Sequence, residues 1–188
     1  MRGEETLDED DECLRTRRLF LRPARASDEA AIAHLANDRH IAEMTARIPH
    51  PYGLEDARRF LADHGEEHVF AIERRGAPGL IGLAGLTPNQ IPGTFELGYW
   101  LGRPFWGEGF ATEAAQGLID HAFTGLGAEC VEVRCRVVNG GSRRVIQKCG
   151  FQYFGTSMDI SLAAGRVASE TYRMDRRCWQ SLKSWGGR

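Results

Sequence analysis

Along the chain, short apolar runs and period-two stretches alternate with longer stretches carrying an apolar stripe at helical spacing. Leu19-Phe20-Leu21, set between arginines and ended by Pro23, predicts a first strand. Ser27 predicts the cap of a helix opening with Asp28-Glu29, with Ile32, Leu35 and Ala36 as its buried stripe. From His40 to Tyr52, closing on Pro49-His50-Pro51, the pattern predicts irregular chain. A second helix is predicted over Leu54–His64, with Leu54, Ala57, Phe60 and Leu61 on its inner face and Gly65 as its stop. Val69–Ile72 and Leu80–Leu86, joined through Gly76-Ala77-Pro78-Gly79, read as a hairpin of buried strands. Phe95–Leu101 predicts another strand, and the glycine-rich connection Gly102–Gly109 leads into a helix. Its stripe is Ala111, Ala114, Ala115, Leu118, Ile119 and Ala122. Next, Val131, Val133, Cys135 and Val137 alternate with Glu132, Arg134 and Arg136, which predicts a half-buried strand whose arginines face solvent. A short helix over Ser142–Cys149 ends at Gly150. Two further strands follow, from Phe151–Gly155 onward and over Val167–Asp175.

This order of elements, with no internal repeat, predicts one α/β domain in a chain of 188 residues. The expected division is an acidic, flexible leader at 1–15, a domain at 16–180 and a tail at 181–188. No apolar run approaches a membrane span, and the N-terminus is acidic rather than basic and then apolar, so neither a membrane anchor nor a secretory signal is expected. The net charge of −2 is unevenly distributed. Residues 1–12 hold seven acids against Arg2, a balance of −6, so the remaining 176 residues carry +4. Five cysteines without a CxxC pair or a close Cys/His cluster predict a reducing cytoplasm and no zinc. His64 and His68 are separated by the helix-breaking Gly65, so no metal site is expected.

Candidate chemistry concentrates between Glu96 and Phe151. In Trp106-Gly107-Glu108-Gly109-Phe110-Ala111-Thr112, two glycines let backbone N–H groups converge, and the helix that follows adds unpaired donors and the positive end of its dipole. This predicts a site for a pyrophosphate or similar anion. The chain has no GxxxxGK[ST], which excludes a Walker loop, and no third glycine at the step a dinucleotide fold requires.

A second block lies downstream: Asn139-Gly140-Gly141-Ser142-Arg143-Arg144-Val145-Ile146-Gln147-Lys148-Cys149-Gly150-Phe151. With both blocks in this order, the chain resembles the GNAT superfamily of acyl-CoA-dependent N-acyltransferases, and within it the RimJ/RimL-type branch named for ribosomal-protein N-terminal acetylation. The resemblance runs from Thr16–Pro23 through Pro49–Ala57 to Tyr172–Asp175. It implies a single domain on a mixed, mostly antiparallel sheet of about six or seven strands, splayed in the middle and flanked by about four helices.

The same resemblance implies that the amides of Trp106, Gly107, Glu108, Gly109, Phe110, Ala111 and Thr112 cradle the pyrophosphate of acetyl-CoA. The N–H of Trp100 or Leu101 would stabilise the developing oxyanion. Asn139 would bond the pantetheine arm or nearby backbone, with a plain helix cap as the competing reading. Ser142 would sit near the CoA sulfur as the partner of the leaving thiolate, and Arg143, Arg144 and Lys148 would be candidates for the phosphates. The chain departs from the family pattern at Pro104, where Arg103 offers a substitute, and at Glu108, whose carboxylate is tolerable only in solvent. It departs again at Ile146, where many relatives carry a tyrosine that protonates the thiolate.

Glu96 is the candidate base for a neutral amine, competing with the reading of a salt-bridged strand-end carboxylate. Glu43 is second choice, for base or for binding a cationic acceptor. Cys149 reads as a small buried residue, and Tyr99 and Trp100 as packing aromatics.

The expected activity is acetyl transfer to a primary amine, a protein N-terminus or a small molecule, by direct attack in a ternary complex. A non-catalytic acyl-CoA-binding module on the same fold is the alternative. Neither nucleic acid nor membrane is an expected partner, and a homodimer is allowed. The +4 domain argues against a strongly cationic acceptor unless Glu43, Glu66, Glu67 and Glu96 gather locally or the leader folds back over the acceptor side.

Overall fold

The computed structural model describes residues 13–186, so the acidic stretch 1–12 and its proposed fold-back lie outside the described residues. Among the described residues eight strands form one sheet in the order β1-β2-β3-β4-β5-β6-β8-β7. They are β1 (Leu14–Arg15), β2 (Leu19–Pro23), β3 (His68–Arg74), β4 (Ala77–Pro88), β5 (Thr94–Leu101), β6 (Cys130–Arg136), β7 (Gln152–Ser161) and β8 (Gly165–Asp175). Six helices accompany them: α1 (Glu29–Ala36), α2 (Arg39–Met44), α3 (Leu54–Ala62), α4 (Phe110–Thr124), α5 (Gly140–Cys149) and α6 (Arg176–Gly186). Among the described residues no helix is long and apolar enough to cross a membrane.

Every neighbouring pair of strands is antiparallel except β5 and β6. Their parallel register runs only from Thr94↔Cys130 to Leu97↔Val133, although both strands continue. Beyond Leu97 the sheet opens, which is the expected splay.

Two apolar layers clamp the sheet. On one face Leu97, Leu101, Val131, Val133 and Cys135 pack with Ala114, Leu118 and Ile119 of α4 and Ile146 of α5. On the other, Val69, Ala71 and Leu83 pack with Ile32, Ala33 and Ala36 of α1 and Ala57 of α3. Phe123, 1% exposed, stacks on Trp179 of α6 at 5.1 Å between ring centroids. Burying a side chain of that size contributes about 1.5–3 kcal/mol.

Several local expectations are revised. Leu14 and Arg15, expected in the leader, pair with Leu21 and Phe20 as β1. Ser27 lies in a 3-10 turn, and the side chain organising this corner is Asp28, which accepts the Arg25 N–H and two bonds from Arg22. A buried carboxylate satisfied by both a guanidinium and an amide outcompetes an exposed hydroxyl. The stretch predicted as irregular holds all but the first residue of α2, because the Asp38 carboxylate accepts from the His40 and Ile41 amides and starts the helix. Leu54 is 46% exposed at the first position of α3, outside its buried face. The β3–β4 turn is tighter than expected. Gly76 supplies the positive φ of 78°, and Ala77, Pro78 and Gly79 already belong to β4. Helix α6 was not anticipated, and it runs on through residue 181.

Candidate active site

The glycine loop leaves the end of β5 and enters α4. Gly107 and Gly109 have φ of 81° and 79°, and a Cβ at Gly107 would meet nothing within 4 Å. The loop surface is therefore open at Gly107. Gly109 caps α4, so the N–H groups of Phe110, Ala111 and Thr112 lack intrahelical acceptors. Glu108 is exposed, as an anion site requires, and its carbonyl accepts from Arg18 Nη1 at 2.9 Å. Arg18 also lies over the Phe110 ring and pairs with Glu113 in the first turn of α4. Thus the residue just before β2 braces the loop. Nothing in the sequence signals this, because Arg18 and Glu113 are 95 residues apart.

Trp106 is 46% exposed and donates from Nε1 to the Leu101 carbonyl at 2.7 Å, closing the turn after β5. Arg103 faces Asp38 and His40 and also lies over the Trp106 ring, 6.0 Å from its centroid. Gly102 N–H donates to the Ile81 carbonyl at the head of an unbroken antiparallel ladder between β4 and β5. Alternation along that ladder turns the Trp100 amide toward β4 and the Leu101 and Tyr99 amides toward the splay. Leu101, not Trp100, therefore has its amide on the open side. The Trp100 side chain packs on the α1/α3 layer.

Asn139 caps α5, accepting the Ser142 N–H at 3.0 Å. Ser142 Oγ lies 2.9 Å from the hydroxyl of Tyr99, across the splay. Burial pushes the Tyr99 phenol well above its usual range, with the Ser142 hydrogen bond opposing. Cys149 is buried and its thiol pushed up to about 12 by desolvation, which fits an inert apolar residue. Its Sγ is 3.9 Å from the Thr112 carbonyl, so the last turn of α5, where Lys148 stands exposed, adjoins the first turn of α4. Arg143 is held by Glu170 and the Val137 carbonyl, whereas Arg144 is exposed.

The opposite face of the splay carries carboxylates. Glu96 accepts from Arg134 at 2.9 Å and is the register partner of Glu132. Desolvation raises the Glu96 pKa, Arg134 opposes this, and the Glu132 charge adds to it. Glu132 is 4% exposed and bonded to Arg173 at 2.7 Å. Arg134 also reaches Glu132 and Asp159. Arg134 and Arg136 are therefore not an idle solvent face. Arg134 links the carboxylates, and Arg136 holds the Glu43 carbonyl. Glu43 turns its own carboxylate to Arg39, which holds its pKa below the usual range, so it is not brought beside Glu96 by any ion pair.

Glu67 is buried and paired with Arg47, and its Oε1 is 2.7 Å from where a Cβ on Gly85 would stand. Gly85 faces Gly98 across the β4–β5 ladder, and the space over Gly98 is open. This floor was not foreseen as a unit; the two glycines were its only sequence signal. Among the described residues no group of three or more His, Cys, Asp or Glu is placed to hold a metal ion.

The family model described as an acetyltransferase (GNAT) domain matches residues 18–152. The chain belongs to the GNAT acetyltransferase family. It is an acyltransferase, and the splayed sheet and glycine loop are this family's fold realised in its own residues. A relative, the uncharacterized N-acetyltransferase p20 of Bacillus licheniformis, is 31% identical over 163 residues, covering 83% of this chain and 91% of the relative. RimL, a ribosomal L7/L12 α-N-protein acetyltransferase solved with CoA, superposes with a TM-score of 0.76 at 20% identity, covering 87% of this chain and 98% of that one. Spermidine N-acetyltransferase of Vibrio cholerae, solved with CoA and spermine, gives 0.75 at 23% identity, covering 88% of this chain and 99% of that one.

Proposed function

We propose that this acyltransferase moves the acetyl group of acetyl-CoA to a primary amine by direct attack in a ternary complex. The observation that carries this reading is the parting of β5 from β6 after Leu97 and Val133, with the glycine loop at one end and Glu96 on one face. The residues present fit a CoA ester. Gly107 leaves an open cradle, the first-turn amides of α4 offer unpaired donors, and Lys148 and Arg144 are exposed on the neighbouring helix. The ester supplies an activated acyl group on a thiol leaving group.

In this reading, the amides of the loop from Trp106 to Thr112 bind the pyrophosphate, and the Leu101 N–H faces the developing oxyanion. Glu96 takes the amine's proton, for which its raised pKa suits it. Ser142 stands beside the sulfur, and Asn139 fixes the helix end that presents it. We place the reaction in the cytoplasm.

For the acceptor, the relatives point to two chemistries: RimL is named for the α-amine of a ribosomal protein, and the Vibrio enzyme for spermidine. Each carboxylate of the acceptor face already has an arginine: Arg47 on Glu67, Arg134 on Glu96, and Arg173 on Glu132. That balance suits a singly charged α-amine of a polypeptide better than a polyamine, which would have to displace several guanidinium groups. Incubation with acetyl-CoA and a panel of peptides, spermidine and small amines, read by mass spectrometry, tests this. Acetylated peptide α-amine is the expected product. Acetyl-CoA binding without turnover of any acceptor would instead mark a non-catalytic acyl-CoA module.

A further inference from the structure

Ile146 stands where the family resemblance would place a thiolate-protonating tyrosine on the helix, and its side chain is 1% exposed in the core. A phenol nevertheless reaches the start of that helix from another element. Tyr99 stands on β5 two residues beyond the last β6 pairing, on the side of the sheet that faces α4 and α5. Its hydroxyl lies 2.9 Å from Ser142 Oγ and 3.4 Å from the Ser142 carbonyl. This contact bridges the two elements that bound the splay, at the point where the strands no longer hold each other.

We infer that Tyr99 is a positioning residue for acetyl transfer, donating its phenolic hydrogen to Ser142 Oγ so that the serine's own hydrogen is directed at the departing sulfur. The inference rests on the proposed placement of Ser142 beside that sulfur. Ser142 alone could rotate its hydroxyl among several acceptors, including its surroundings at the helix start. A donor fixed on a strand removes that freedom and polarises the serine O–H. Both partners are held independently: the Ser142 amide by Asn139, and the Tyr99 ring by packing against the main core.

The phenol's burial decides between positioning and proton donation. Desolvation holds the Tyr99 proton more firmly than in water and outweighs the opposing Ser142 hydrogen bond. Surrendering it to a thiolate would leave a buried phenolate without a cationic partner, which is costly. Tyr99 therefore keeps its proton throughout. In the transfer, the amide C–N bond forms and the acyl C–S bond breaks, its electron pair leaving with sulfur. The amine's proton goes to Glu96 and then to water. The departing sulfur is stabilised by the Ser142 hydrogen bond and finally takes a proton from water.

Steady-state kinetics of Tyr99→Phe, Ser142→Ala and the double variant, with acetyl-CoA and a short peptide bearing a free α-amine, or spermidine if the peptide is not turned over, test the inference. Phenylalanine keeps the ring packing, and thermal unfolding of each variant confirms the fold. Tyr99→Phe is expected to lower kcat about 10-fold with KM for acetyl-CoA unchanged, and the double variant to be no slower than Ser142→Ala. Wild-type kcat in Tyr99→Phe alongside a slow Ser142→Ala overturns the inference alone. So do losses that multiply in the double variant, or a loss confined to KM. A Ser142→Ala protein at the wild-type rate overturns the placement of Ser142 as well.

Discussion

Arg134 Nη2 lies 2.9 Å from Glu96 Oε2, although the register partner of Glu96 on β6 is Glu132, two residues earlier. The guanidinium thus sits between two carboxylates that the parallel pairing places side by side. Like charges in directly opposed positions destabilise a sheet. Here Arg134 and Arg173 offset that repulsion, and the residual effect on Glu96 remains with its desolvation, which raises its pKa.

This arrangement predicts the acid side of the pH–rate profile. If Glu96 must be ionised to accept the amine proton, activity falls as pH drops through a pKa above the ordinary 4.5. Glu96→Gln should lower kcat/KM by about 10²–10⁴-fold, with that limb abolished. An unchanged profile in this variant would remove Glu96 from the role.

The neighbours should move that limb in opposite directions. Glu132 raises the Glu96 pKa and Arg134 lowers it. Glu132→Gln should therefore shift the acid limb to lower pH, and Arg134→Gln to higher pH. Profiles of kcat/KM for the two variants check the signs, and shifts in the same direction would contradict the arrangement.

The loop prediction concerns Gly109. Alanine there must adopt φ near 79°, with Arg18 Nη2 only 3.4 Å from the new Cβ. Left-handed backbone costs a non-glycine residue about 1–2 kcal/mol. Gly109→Ala should weaken acetyl-CoA binding about 10-fold, measured by calorimetry, and lower Tm by about 2–8 °C. Unchanged affinity would show that the loop amides do not hold the ligand.

How much of this was legible in the sequence follows contact range. The glycine loop and the Asn139–Phe151 block could be read because their parts are adjacent in the chain, as could the stripe of α4. Tyr99–Ser142, Glu96–Arg134 and Arg18–Glu113 are 43, 38 and 95 residues apart and depend on which strands neighbour one another. Helix α2 was hidden because its signal is one capping carboxylate, Asp38, on a six-residue helix. The arginines of β6 looked solvated because alternation shows only that a face is polar, not what covers it.

Glu113 predicts a stability effect with a defined pH window. Burial works against its ionised form, but the Thr16 hydroxyl and the Arg18 amide and guanidinium outweigh it, so its pKa lies below 4.5. Its contribution is fully present above 4.5 and is lost as pH falls through the depressed folded value. Glu113→Gln should destabilise the protein by about 1.5–3 kcal/mol at neutral pH. Urea unfolding should show this difference shrinking in acid, and a constant difference would contradict the pairing.

The most direct measurement of the central claim is the initial-velocity pattern of thiol release at varied acetyl-CoA and amine. Direct attack in a ternary complex predicts amine-dependent release and intersecting double-reciprocal lines. Parallel lines would demand an acetylated enzyme intermediate, against the inert, buried Cys149, and release independent of amine would contradict the assignment of an amine acceptor.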